Sequence, residues 1–149
     1  MHDITSCLWF DHQGKEAADF YITVFPNSRI VESNPVVTVF ELDGTRFMAL
    51  NGGPTHAGFT ETVSFVVHCD SQEEIDRYWE TLTADGGRES MCGWLEDKFG
   101  LSWQIVPRDL PAMMSGPDSA KSERVMKALL QMKKLDIAAL RRAYQGAAS

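Results

Sequence analysis

The chain contains two stretches in which apolar and polar positions follow the same succession of periods. In the first stretch, an apolar segment at Ile4–Phe10 favours a strand, and apolar residues spaced i, i+3, i+4 and i+7 favour a helix over 14–25. Two alternating runs around Asp43 and Gly44, a pair typical of tight turns, predict a β-hairpin that ends at Asn51. With a weaker strand expected before the hairpin, the order is strand, helix and three strands.

The second stretch repeats this order. A strand at Thr62–Asp70 is followed by Ser71, which is a good helix N-cap, and Glu74 completes a capping-box signature three residues later. Two strand segments, 88–97 and 101–107, close the second stretch. Asp97 and Lys98 lie in the turn between these two segments, and we expect both side chains to be exposed to solvent.

Setting Asp11 against Asp70 places a strand before and a helix after each aspartate, which indicates an internal repeat. We therefore predict one domain of the α+β class, built from two βαβββ modules at 4–51 and 61–107 and a helical extension at 118–146. Two such modules form a cupped mixed sheet with helices outside, and the concave interior of such a sheet suits a small molecule.

The extension predicts two short helices. An apolar stripe at Val125–Leu130 marks the first, while Asp136 is placed to cap the second and Gly146 to end it. The apolar faces need a partner, which is either the sheets or another subunit. The stripe is thus one physical reason to expect a homodimer.

Composition narrows the functional classes. Of the 149 residues, 44% are hydrophobic and 23% are charged, as is ordinary for a globular protein. A net charge of −7 disfavours nucleic-acid binding, because phosphate backbones attract basic surfaces. No apolar run reaches the roughly 18 residues of a membrane span, and no basic leader begins the chain. Three irregularly spaced cysteines suggest free thiols in a cytoplasmic protein.

Four segments resemble a known family in order along the chain: "CLWFDHQGKEAADFYITVFPNSRI", "FELDGTRFMALNGGP", "CGWLEDKFGLSWQIVP" and "LLQMKKLDIAAL". They are similar to the PhnB-like proteins, often labelled 3-demethylubiquinone-9 3-methyltransferase, within the vicinal oxygen chelate superfamily. That superfamily includes glyoxalase I, extradiol dioxygenases and bleomycin-resistance proteins. The resemblance implies a glyoxalase/bleomycin resistance-like fold and a homodimer.

The methyltransferase label finds little support in the sequence. Methyl-donor-dependent enzymes of the common type bind a nucleoside cofactor at a glycine-rich turn between a strand and a helix, and this chain has no strand-GxGxG-helix pattern. The nearest glycine cluster, Asn51–Pro54, precedes a strand and contains proline. Methyl transfer by that route is therefore not favoured.

The resemblance also implies four positions for a divalent metal, one on the first and one on the last strand of each module. Carried over by strand alignment, they fall at Thr5, Asn51, Thr62 (or Glu61, if the register slips by one) and Gln104. Neutral hydroxyls and amides bind divalent ions poorly on their own. The histidines lie at a terminus, in loops and near a strand end, so we expect no bound metal or other cofactor: His2, His12, His56 and His68.

Alternation along the strands suggests a pocket without a metal. If every second residue faces the cup, polar and aromatic side chains converge there, and these walls suit a flat or apolar ligand. The alternative is a packed core, in which the asparagine and the glutamine satisfy backbone groups at turns. The predicted pocket consists of Cys7, Trp9, Asn51, Cys92, Trp94 and Gln104.

Catalytic signals are weak. Cys7 and Cys92 are candidate nucleophiles, but no histidine is convincingly placed beside either, so a structural thiol is favoured. His68 and Cys69 are adjacent on a strand and therefore point to opposite faces.

Three functions remain open. The preferred hypothesis is a metal-free protein that binds an unknown small molecule, apolar or aromatic. The alternatives are a metal-dependent lyase, dioxygenase or transferase of the superfamily, and an interaction module whose cup is filled by its own side chains.

Overall fold

The computed structural model describes residues 3–54 and 58–146. The chain divides into two compact units, Met1–Gly58 and Phe59–Ser149. Each unit contains one four-stranded sheet and one long helix packed on it, and the second unit adds three C-terminal helices. In chain order the elements are β1 (Ser6–Phe10), α1 (Gly14–Val24), β2 (Arg29–Ser33), β3 (Val37–Leu42), β4 (Thr45–Asn51), β5 (Ser64–Cys69), α2 (Gln72–Thr83), β6 (Arg88–Glu89), β7 (Trp94–Glu96), β8 (Ser102–Pro107), α3 (Leu110–Ser115), α4 (Ser119–Leu129) and α5 (Ile137–Gln145).

The two sheets have the same strand order, β1-β4-β3-β2 in the first unit and β5-β8-β7-β6 in the second. In each, the first strand pairs in parallel with the last, and the other strands pair antiparallel. This shared topology confirms the predicted pair of βαβββ modules and the α+β class.

The core of the first unit lies between α1 and one face of its sheet. Tyr21 of α1 stacks on Phe40 with ring centroids 6.3 Å apart, and Phe40 stacks on Phe47 at 5.5 Å. Leu8 and Phe10 of β1 are buried on the same side. The predicted tight turn is confirmed, because Asp43 and Gly44 both adopt positive φ.

The core of the second unit lies between α2 and one face of its sheet. Its helix buries Ile75, Tyr78, Trp79 and Leu82. The predicted N-cap is confirmed: the Ser71 Oγ accepts a hydrogen bond from the Glu74 backbone N–H at 3.2 Å. The Glu74 carboxylate accepts a hydrogen bond from the backbone N–H of Asp70, so two reciprocal hydrogen bonds close the N-terminus of α2.

The predicted strand over 88–97 is wrong as a single element. It is two short strands, β6 and β7, separated by a turn in which Cys92 has φ 62° and Gly93 has φ 86°. A Cβ on Gly93 would lie 3.1 Å from both the Ile105 carbonyl oxygen and the Leu135 side chain. Glycine is required at position 93 because the backbone has positive φ there and lies against both β8 and the C-terminal extension.

The C-terminal extension has three helices rather than the predicted two, since α3 precedes the expected pair. Its apolar side chains form one cluster with Val106 of β8. The second sheet therefore covers part of the apolar surface of these helices. Val125 and Leu129 are buried there, whereas Met126 and Leu130 are exposed. The predicted cap at Asp136 and the end at Gly146 are confirmed.

Within residues 3–54 and 58–146, none of the helices is long and apolar enough to cross a lipid bilayer.

Candidate functional site

Each sheet has one face packed on its long helix and an opposite face, which we call the far face. On β1, the buried Leu8 and Phe10 point toward α1, so Cys7 and Trp9 lie on the far face of the first sheet. Met48 stands beside Cys7 in the parallel ladder, and Leu50 stands beside Trp9. This far face therefore carries sulfur and apolar groups around one indole ring.

Trp9 is 36% exposed and its orientation is fixed. Its indole Nε1–H donates a hydrogen bond to the Gly53 carbonyl oxygen at 2.9 Å. The ring also lies against Gly52, where a Cβ atom would be only 2.3 Å from two of the ring carbons. The glycine pair after β4 thus leaves room for the ring and holds it in one position.

Asn51 is on the other side of the sheet, which corrects the expectation that it shares a face with Cys7 and Trp9. It stands beside Phe10 in the ladder, so it points toward α1. Its Oδ1 accepts a hydrogen bond from the Gly14 backbone N–H at 2.8 Å, and its Nδ2 donates to the Pro35 carbonyl at 3.2 Å. Asn51 is a structural amide, as the packed-core alternative proposed for it.

Gln104 is on the far face of the second sheet. All of β8 except Gln104 is buried, so the module alignment identifies the faces: Trp103 and Ile105 correspond to Phe47 and Ala49, which face α1. Alternation therefore puts Gln104 on the side away from α2, where its neighbour Val106 is covered by the tail cluster. Its ladder neighbours are Val66 on β5 and Trp94 on β7. The Gln104 Nε2 donates to the Ser64 Oγ at 3.0 Å. An aromatic ring, an amide and a hydroxyl are therefore grouped on this face.

The two ladders correct the positions at which the family pattern would place metal ligands. Phe10 pairs with Asn51 at one end of β1, and Cys69 pairs with Pro107 at the same end of β5. Counting back three residues from that end, Gln104 corresponds to Met48 and not to Asn51.

The same count corrects the ligand position on the first strand of the second module. Thr5 corresponds to Ser64 and not to Thr62, because Thr62 and Glu61 lie before β5, in an exposed turn. The four corrected positions are Thr5, Met48, Ser64 and Gln104.

This donor set does not fit a divalent metal. It offers hydroxyl, thioether and amide groups without a carboxylate or an imidazole, and two of the four are hydrogen-bonded to each other. Within residues 3–54 and 58–146, no group of three or more His, Cys, Asp or Glu side chains is placed to hold a metal ion. His12 and His68 are exposed, while His2 and His56 lie outside the described residues.

The three cysteines are free thiols in different environments. Cys7 is exposed on the far face of the first sheet. Cys92 is half-buried against the apolar cluster of the tail, and its N–H donates to the Met132 carbonyl at 2.7 Å. Burial raises the pKa of the Cys69 thiol to about 12, and the carboxylates of Glu74 and Asp70 act in the same direction. Cys69 is therefore a protonated structural thiol.

Asp97 was expected in solvent, but it is only 2% exposed. Its Oδ1 accepts hydrogen bonds from the backbone N–H groups of Phe99 and Leu101, and its Oδ2 accepts from the Trp103 indole at 2.8 Å. The carboxylate therefore organises the turn between β7 and β8 from inside.

Sequence reasoning missed Ser64 and Met48, although a signal for both existed. The alignment of Asp11 with Asp70 already sets Thr5 opposite Ser64. Aligning the ends of the last strands, Asn51 with Pro107, sets Met48 opposite Gln104 in the same way. Treating the strand end itself as the ligand position shifted the assignment by three residues.

Comparison with known proteins agrees with this architecture. A family model described as 3-demethylubiquinone-9 3-methyltransferase matches residues 2–106. The match ends before α3, so the tail segment quoted for the resemblance lies outside it. No curated protein sequence matches the chain.

Solved structures show the same fold. A PhnB protein from Bacillus cereus with the same methyltransferase description is 32% identical, and the match covers 71% of this chain and 99% of that one, with a TM-score of 0.64. Protein PA1353 from Pseudomonas aeruginosa is 19% identical over 70% of this chain and 96% of its own, with a TM-score of 0.57. A glyoxalase/bleomycin resistance protein from Albidiferax ferrireducens T118 is 16% identical over 71% and 98%, with a TM-score of 0.51. The chain therefore belongs to the family described as 3-demethylubiquinone-9 3-methyltransferase, which includes PhnB proteins, and it has the glyoxalase/bleomycin resistance-like fold.

Proposed function

We propose that this protein binds a small, flat, apolar or aromatic molecule on the far face of its second sheet, and that it does so without a metal ion. The observation that carries the proposal is the hydrogen bond between Gln104 and Ser64. These two residues occupy positions at which the family pattern places metal ligands, and here a neutral amide and a hydroxyl bind each other.

The ligand class follows from the side chains around that pair. Trp94 and Val66 flank Gln104 in the ladder and supply an aromatic and an apolar contact. The amide and the hydroxyl both donate and accept hydrogen bonds, so they suit a ring that carries one polar substituent.

Methyl transfer is not part of the proposal. Each sheet has a single parallel strand pair, and the glycines after β4 hold Trp9 rather than open a helix. The alternative of a metal-dependent lyase, dioxygenase or transferase would require ligands that the four corrected positions lack. A cytoplasmic location stays our proposal and is compatible with three free thiols.

A thermal-shift assay tests the ligand class, because a molecule that binds the native state raises its melting temperature. With 1-naphthol as the probe, we expect a concentration-dependent rise for the wild type and a much smaller rise for Gln104→Leu and Trp94→Leu. Val36→Ser, which changes an exposed apolar residue of the other unit, is the matched control and keeps the full rise. Equal rises in all four proteins would refute the assignment of the site.

Elemental analysis tests the metal-free part. We expect the purified protein to contain far less than one equivalent of zinc, nickel, manganese or iron. About one equivalent of any of them, held through dialysis, would contradict the proposal, because a tight site needs charged or imidazole ligands.

A further inference from the structure

The hydrogen bond between Gln104 and Ser64 uses only part of what the two side chains can offer. The Gln104 Nε2 donates to the Ser64 Oγ at 3.0 Å. The amide oxygen of Gln104 can still accept a hydrogen bond, and the Ser64 hydroxyl can still donate its own hydrogen. Within residues 3–54 and 58–146, neither side chain forms a further hydrogen bond. The pair therefore presents one acceptor and one donor next to each other.

This property does not depend on which way the amide is turned. With the amide reversed, the Ser64 hydroxyl donates to Oε1, and the Nε2 hydrogens and a lone pair of Oγ become free instead. The pair again presents one donor and one acceptor. A ligand group that satisfies both must itself contain an acceptor and a donor side by side.

The surroundings of the pair are apolar and accessible. Gln104 and Ser64 are both half-buried. Val66, which is the ladder neighbour of Gln104 on β5, is 44% exposed, and the half-buried Trp94 is its neighbour on β7. A planar ring that covers Val66 and Trp94 would bring its polar edge to the amide and the hydroxyl.

The charged side chains on this face do not favour an ionised ligand. Arg88 and Glu96, on β6 and β7, are bound to each other, with the Arg88 Nε donating to the Glu96 carboxylate at 3.2 Å. His68 lies on the other side of Val66 from Ser64, about 13 Å away along the strand. The polar groups beside Trp94 are neutral, so a neutral ligand needs the least desolvation there.

We propose, building on the function proposed above, that the ligand on the far face of the second sheet is a neutral planar lactam. This is an aromatic ring system whose edge has an N–H directly beside a carbonyl group. The lactam N–H donates to the acceptor of the Gln104–Ser64 pair, and the lactam carbonyl accepts from its donor. A phenol has a single oxygen for both tasks, and a carboxylate has no donor.

Calorimetric titration of the full chain with 2-quinolone and 1-methyl-2-quinolone tests the proposal, because the two probes differ only by the methyl group that replaces the N–H. We expect 2-quinolone to bind about tenfold more tightly, as for the loss of one neutral hydrogen bond at a half-buried site. The control probe is 4-methyl-2-quinolone, which has its methyl group away from the N–H edge and should bind like 2-quinolone.

A variant then assigns the preference to the pair. In Gln104→Leu the affinities of 2-quinolone and 1-methyl-2-quinolone should differ by less than about twofold. Gln131→Leu makes the same replacement at an exposed position outside the sheet and should keep the tenfold preference. Circular dichroism checks that both variants are folded, and the comparison of probes on the wild type does not depend on either of them.

Titration with 1-naphthol separates failure of this proposal from failure of the proposed function. If 1-naphthol binds through Gln104 while the two quinolones bind equally well or not at all, the lactam is refuted and the proposed function stands. If none of the probes binds, both are refuted. A tenfold preference that persists in Gln104→Leu would also overturn the lactam proposal, because another group would then recognise the N–H.

Discussion

The two modules have the same strand order but differ in most of the side chains on their far faces. Where the first module has Thr5, just before β1, and Met48, the second has Ser64 and Gln104, joined by a hydrogen bond. The first far face is apolar around a fixed indole, whereas the second has an amide and a hydroxyl beside Trp94. The repeat therefore preserves a scaffold, while the side chains on the two far faces differ.

The same difference appears at the starts of the two helices. Helix α2 is capped locally, by Ser71 just before it. Helix α1 has no side-chain cap from its own N-cap residue, and the N–H of Gly14 is satisfied by Asn51 from the end of β4. The N-terminus of α2 is thus capped by the residue just before it, and that of α1 by a residue 37 positions away in the sequence.

The largest expected effect on stability distinguishes the turn between β7 and β8 from the turn between β3 and β4. Asp97→Asn replaces a buried carboxylate oxygen with an amide that faces N–H donors, so we expect the free energy of unfolding to fall by about 2–3 kcal/mol. Asp43→Asn, in the corresponding turn of the first module, should change it by less than about 0.5 kcal/mol, because asparagine tolerates positive φ at an exposed site. Urea denaturation measures both, and equal effects would contradict a special role for Asp97.

The helix caps give a smaller effect. Asn51→Ala removes two hydrogen bonds, to Gly14 and Pro35, and is expected to lower the free energy of unfolding by about 1–2 kcal/mol. Ser71→Ala should cost about 1 kcal/mol, as for a local cap. Should Asn51→Ala leave stability unchanged, the remote cap of α1 would be refuted.

The support of Trp9 is a further point of contrast. In Gly52→Ala the new methyl group would collide with the indole, so Trp9 must leave Gly53, and the near-UV circular dichroism should change. We expect a cost of about 1–2 kcal/mol, as for other overpacked sites. Gly116→Ala is the control, because its Cβ would meet no atom closer than 3.6 Å. An unchanged spectrum in Gly52→Ala would show that the ring is not held there.

The cysteines give the mildest test, by alkylation of the native protein at pH 8. Exposed Cys7 should react readily, whereas Cys69, whose pKa is raised to about 12, has about 1000-fold less thiolate than an ordinary cysteine. Because the raised pKa favours the neutral thiol in the folded state, its stabilising contribution is complete below about pH 9 and is lost as the pH rises toward 12. Fast labelling of Cys69 by mass spectrometry would contradict its burial.

The sequence predicted what periodicity controls and missed what tertiary contacts decide. The repeat, the helices, the capping of α2 and the alternation around Gln104 all follow local patterns. The face of Asn51 did not: alternation groups it with Phe47 and Ala49, but only the pairing of β4 with β1 decides that this group faces α1. Asp97 resembled a solvent-exposed turn residue because its three donors become visible only when the turn folds over it.

Titration calorimetry of 1-naphthol into the protein after exhaustive dialysis against EDTA tests the central claim, which is binding on the far face of the second sheet without a metal. We predict saturable binding with an affinity unchanged by the chelator and strongly reduced in Gln104→Leu. Binding that disappears with the chelator and returns with a divalent ion, or no binding in either state, would contradict it.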